Sequence, residues 1–190
     1  WMTDLTDPSA ARVFVVGYNQ ATRYLPSATF DHERHIDAHF NRNGQSCRAL
    51  YAEMTGGSPT RGNIEWFSEK LADAGVSSVL ETNVVCYGSG SKSELARQEH
   101  EGGKQRGMDI FRYLLAEIRP AAIVVHGKGV ADEVSRSLRL RPRLPAPPAC
   151  ATEFAQRTVP LTSRTLDPRT RDEEGWSTEV FVIPSLALPG

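Results

Sequence analysis

The chain is expected to fold as an α/β protein, a three-layer α/β/α sandwich around a central, mainly parallel four-stranded sheet. Three observations predict this. Short runs rich in valine and isoleucine, such as "RVFVVG" and "AAIVVHG", are apolar on both faces, as strands covered by helices on both sides must be. Segments with apolar residues at helical spacing alternate with these runs from residue 12 onward. Glycine or polar residues follow several of the runs directly, which is where a parallel strand turns toward its crossover helix.

In chain order, residues 1–11 are polar, contain Pro8 and read as a lead-in to one domain spanning 12–190. Arg12–Gly17 is the first strand. "DHERHIDAHF" (31–40) suits a helix, with Ile36 and Phe40 four apart on one face, and "GGSPTRGN" (56–63) reads as a connection. "NIEWFSEKLADAG" is a helix capped by Asn63, striped by Ile64, Phe67, Leu71 and Ala74, and stopped by Gly75. Val76–Tyr87 returns to strand composition, interrupted by Glu81, Thr82 and Asn83, and "GSGSKSEL" (88–95) is a loop. Met108, Phe111, Leu115 and Ile118 stripe a long helix that Pro120 ends. Ala121–Gly127 is a strand, Lys128–Leu138 a helix, and the proline- and arginine-rich 139–150 a surface loop. "FAQRTVPL" reads as an edge strand and Glu179–Ile183 as the last core strand.

Charge and cysteine content narrow the function classes. With 22 Lys and Arg against 23 Asp and Glu, the net charge is -1, so nucleic-acid binding has to rest on a local basic patch. The arginines of "SRSLRLRPRLP" (Arg136, Arg139, Arg141, Arg143), with Arg164, Arg169 and Arg171, are candidates for that patch or for a solvated loop. Cys47, Cys86 and Cys150 lack C-x-x-C spacing, which predicts a reducing, cytoplasmic setting without a disulfide framework or zinc ribbon. No apolar run approaches the ~18 residues of a membrane span. Neither G-x-G-x-x-G nor G-K-[ST] occurs, so no cofactor and no metal are expected, and the chain is read as a monomer.

Ligand chemistry on such a sheet sits beyond the carboxyl ends of the strands. "GYNQAT" (17–22) is either a plain turn or an amide pair held at a site. Asn83, inside an apolar run, needs its amide satisfied by a structural network or by a ligand with an adjacent donor and acceptor, such as a pyrimidine edge. Ser89, Ser91 and Lys92 offer a place for a phosphate. His126 ends its strand as either a satisfied core histidine or a ligand-facing one. Cys86 is a nucleophile only beside a base, and the sequence places none there.

Taken together, these positions resemble the uracil-DNA glycosylase superfamily, closest to its mismatch-specific and single-strand-selective branches. The resemblance rests on "GYNQA" for the family's Gly-x-(Asp/Asn)-Pro motif, on "ETNVVCY" for its Asn-bearing strand, and on the order of elements over roughly 12–190. It implies that Asn19 positions the attacking water and that Asn83 pairs with an extruded base. It places Gly17, Tyr18, Gln20 and Ala21 at the base pocket, the small Ala21 leaving room for a 5-substituent. Phe30, or Tyr24 as second choice, would stack on the base, and Ser89, Ser91, Lys92 and Ser185 would contact DNA. Two departures stand out. Gln20 replaces the family's proline, and "IPSLALPG" puts Ile183 or Ala187 where the family has histidine, leaving His126 as the substitute donor. Three activities follow as expectations: a DNA-base glycosylase, a catalytically weak relative that only binds a nucleobase or DNA, and, ranked last, a hydrolase using Cys86.

Overall fold

The computed structural model describes residues 1–19, 31–56, 58–150, 152–166 and 175–186. The fold is mixed α/β. In chain order the elements are β1 (Met2–Thr3), β2 (Val13–Asn19), α1 (His32–His39), α2 (Cys47–Thr55), α3 (Pro59–Asp73), β3 (Val79–Val85), α4 (Gly103–Ile118), β4 (Ala122–His126), α5 (Lys128–Ser137), β5 (Ala155–Thr162), α6 (Ser163–Leu166) and β6 (Gly175–Ile183).

The sheet has six strands rather than the four expected, in the order β1-β3-β2-β4-β6-β5. The inner four run parallel, and β1 and β5 close the two edges antiparallel to their neighbours. The lead-in therefore belongs to the sheet: Met2 and Thr3 lie opposite Glu81 and Leu80, and the Thr3 hydroxyl donates to the Val79 carbonyl at 2.7 Å. A two-residue strand carries no periodic signal, which is why the sequence hides it.

Alternate side chains of the inner strands enter two separate apolar layers. On one face Val15, Val79 and Val124 are buried, with Phe67 and Leu71 of α3 packed against them. On the other, Phe14, Val16, Leu80, Val84, Ile123 and Val125 form a larger core with Phe111, Leu114 and Leu115 of α4 and Val130, Ala131 and Val134 of α5. Fully burying one such side chain stabilises by about 1.5–3 kcal/mol.

Two helix starts depart from the sequence reading. Helix α3 begins four residues before Asn63: Ser58 is its cap, accepting from the Arg61 N–H, and Pro59 takes the first position, where a missing N–H costs nothing. Asn63, inside the helix, instead donates to the Leu186 carbonyl at 2.8 Å and ties α3 to the segment after β6. Helix α2 lies in the stretch of weak signal; Ser46 caps it and Gly56 ends it at φ 66, a left-handed angle that glycine adopts without strain.

The interruption in the β3 run has a structural cause. Glu81 is buried on the α3 face and accepts from Arg61 Nη1 at 2.5 Å, Arg48 Nη1 at 2.8 Å and the Ser68 hydroxyl at 3.2 Å. A carboxylate enters this interior because two guanidinium groups enter with it.

Candidate functional site

Parallel pairing brings the carboxyl ends of β2, β3, β4 and β6 into one row, with Gly17 opposite Asn83 and His126 opposite Ile183. Gly17 leaves a gap there. A Cβ at this position would lie 2.7 Å from Asn83 Oδ1 and 3.3 Å from His126 Nε2, so both side chains fill the space that a larger residue would take. Three positions picked out from sequence, Gly17, Asn83 and His126, thus meet around one point.

Their polar atoms are under-used by the protein. Among the described residues nothing hydrogen-bonds the Asn83 side-chain amide, which is half-buried; only its backbone carbonyl is engaged, by the Cys86 thiol at 3.0 Å. His126 is 8% exposed, and neither ring nitrogen has a partner among the described residues. Leaving a buried donor or acceptor unmet costs about 1–3 kcal/mol. Burial holds the imidazole down to a pKa of about 4, with the Glu81 carboxylate a smaller opposing influence. At neutral pH His126 is therefore uncharged and presents one N–H donor and one bare nitrogen acceptor.

This burial has a consequence for stability. Below pH 6.5 the unfolded chain binds a proton that folded His126 refuses, so its contribution is full above 6.5, declines as pH falls and levels off near 4. The difference corresponds to about 3 kcal/mol. His39, also held down to about 4 by burial, acts in the same window. Urea unfolding of wild type and His126→Asn between pH 7.5 and 4 should therefore show a shallower pH slope in the variant; equal slopes would show that His126 is not buried neutral.

Asn19, at the end of β2, is clasped by the loop after β3. Its Nδ2 donates to the Ser89 carbonyl at 3.0 Å and to the Ser89 hydroxyl at 2.9 Å, and that hydroxyl donates onward to the Ser91 carbonyl at 3.1 Å. Ser89 itself is fully buried, which corrects the expectation that it touches DNA; it acts on Asn19 instead. Ser91 and Lys92 are exposed, but the Gly90 N–H of the same loop is already bound by the Glu94 carboxylate at 2.8 Å. Lys92 Nζ lies 5.0 Å over the Tyr18 ring, and burial together with Glu133 pushes the Tyr18 hydroxyl pKa up.

Ser185 is exposed beside Gly127, whose φ of 92° favours glycine. Cys86 contacts Thr82 and the Asn83 carbonyl, and among the described residues no base hydrogen-bonds it. Gln20, Ala21, Tyr24, Phe30, Arg169, Arg171 and Ala187 lie outside the described residues. The sequence reading missed the Glu81–Arg61–Arg48 cluster beneath Asn83, although a lone glutamate in an apolar strand was its signal. No group of three or more His, Cys, Asp or Glu among the described residues is placed to hold a metal ion, and no described helix is long and apolar enough to cross a membrane. Comparison of the chain with protein-family models, with curated proteins and with solved structures gave no match.

Proposed function

We propose that the chain is a DNA-base glycosylase that hydrolyses the N-glycosidic bond of a flipped uracil-like or modified base. The observation that carries this is the pairing of two under-used polar groups, the Asn83 amide and the buried neutral His126, over Gly17. An amide presents a donor and an acceptor side by side, the complement of a pyrimidine's Watson–Crick edge. As the bond breaks, its electron pair stays on the base, and the negative charge develops where a neutral imidazole N–H can donate without having to lose a proton of its own. Water attacks the sugar carbon as the base departs, its oxygen forming the new C–O bond and its proton passing to solvent. Asn19, fixed by Ser89, positions that water beside the sugar carbon.

A second reading, a module that binds a nucleobase without chemistry, is favoured by one observation. Among the described strand-end residues, 17–19, 82–86, 126–127 and 184–186, no carboxylate is available to take a proton from the water. Oligonucleotides carrying uracil, hypoxanthine, xanthine or a 5-modified pyrimidine, incubated with the protein and then treated with alkali, separate the two. Hydrolysis predicts scission that falls by about 10²-fold in Asn19→Ala. Tight binding with no scission of any substrate would leave the binding module.

A further inference from the structure

The arginines of "SRSLRLRPRLP" are only partly accounted for by a solvated loop. Arg97, Lys104, Arg112, Arg136 and Arg139 line a groove of about 840 Å³. These five cations share few carboxylates. Lys104 and Arg136 both bind the same oxygen of buried Glu133, at 3.0 and 2.5 Å, and Arg112 pairs with Asp109. Glu101, also lining the groove, is the remaining acid. Arg97 and Arg139 are exposed and make no ion pair among the described residues. They reach the groove from separate turns, one before α4 and one after α5, the latter at a backbone φ of 53°.

We infer that this groove carries the phosphodiester backbone of a single nucleic-acid strand whose target base sits at Gly17, Asn83 and His126. The inference rests on the nucleobase-site proposal and extends it to the polymer around the base. A guanidinium is the side chain best suited to a phosphate, since it is always charged and donates two parallel N–H bonds. Two unpaired arginines carried on separate turns suit a repeating anion better than a compact one. The strand reaches the site over the carboxyl edge of the sheet, because the Tyr18 side chain packs on the α4–α5 face whereas Gly17, Asn83 and His126 lie on the α3 face with Val15, Val79 and Ile183. Glu133 lies beside Tyr18, the residue after Gly17, and the Tyr18 ring with Lys92 over it supplies the aromatic and cationic surface on which single strands track. A chain of net charge -1 thereby concentrates its positive field along one path.

The test compares wild type, Arg97→Gln/Arg139→Gln and, as a control on the opposite face of the sheet, Lys70→Gln. A fluorescein-labelled single-stranded 20-mer with one uracil, and the same 20-mer with thymine there, are titrated by anisotropy between 50 and 200 mM NaCl. Each lost phosphate contact should reduce the slope of log affinity against log salt by about 0.7, so the double variant should lose about 1.4, equally for both oligonucleotides. Both substituted groups are exposed, and a circular dichroism melt confirms that the fold is intact. An unchanged slope, or an equal fall in Lys70→Gln, overturns the groove assignment, as does failure of wild type to bind either strand. Base release from the uracil strand is scored separately. A reduced slope without base release keeps the groove and removes the glycosylase, whereas base release with an unchanged slope does the reverse.

Discussion

Under the proposed glycosylase activity, Gly17→Ala is expected to lower base excision by about 10²–10³-fold while changing stability by less than about 1 kcal/mol. The new methyl group would sit 2.7 Å from Asn83 Oδ1, a separation that real Cβ atoms do not show, and 3.3 Å from His126 Nε2. What lies in its path is the tip of an amide side chain, able to swing about its own bonds at little energetic cost. The backbone has no reason to object, since Gly17 lies within β2 and not at a positive φ, and replacing glycine in a strand recovers some chain entropy. Stability is thus largely spared, but the amide no longer faces the point that His126 faces. Losing one preorganised donor typically costs about 10²–10³ in rate. Single-turnover base release, read beside a urea melt, checks both halves. Full activity with an unaltered melt would show that Asn83 and His126 do not act at that point together.

Glu81→Ala is expected to act in the opposite way, destabilising the fold by about 3–5 kcal/mol. Arg61 and Glu81 are each less than a tenth exposed, and Arg48 is mostly buried beside them. Removing the carboxylate takes away the one buried counter-charge of the two guanidinium groups, leaving only the exposed Glu65 beside Arg61 and the exposed Asp4 beside Arg48, and Arg61 Nη2 already lacks a partner among the described residues. For a chain of this length the loss corresponds to a fall in Tm of roughly 10 °C. Thermal melting followed by circular dichroism reads it, and a loss below about 1 kcal/mol would mean that water reaches the cluster. Replacing all three groups together by Leu, Met and Met should recover much of the stability, because burying an ion pair gains little over burying apolar groups of similar volume.

The parts of this fold written plainly in the sequence are those in which local pattern and tertiary role agree. The valine runs of β2 and β4 are apolar on both faces because helices cover both faces, and the stripe of α4 is clean because one side of that helix is buried. Disagreement appears where a residue answers to a distant partner. Glu81 reads as a break in a strand until Arg48 and Arg61, from two different helices, are brought to it. Ser89 reads as one serine of a flexible loop, and only the approach of Asn19, seventy residues away, explains its burial. The start of α3 was hidden by its own capping chemistry, since serine and proline between glycines look like a connection whether or not a helix follows. At the site, the type of each residue was legible and its neighbours were not. Gly17 reads as a turn former, and its role as the gap between Asn83 and His126 depends on strand register.

The two antiparallel strands at the margins of the sheet bear on its pairing with other extended chains. A parallel core with bare sides offers rows of unpaired amides to any other extended chain and invites one copy to add onto the next. On one margin β5 guards against this, with Pro160 withholding a donor and polar Gln156 and Thr158 bonded back to Glu179. On the other margin Met2 and Thr3 lie along β3, and Asn41 Nδ2 donates to the Thr3 carbonyl at 2.9 Å. Removing Met2 and Thr3 would bare the β3 edge at Leu80 and Glu81 as a template for an added strand.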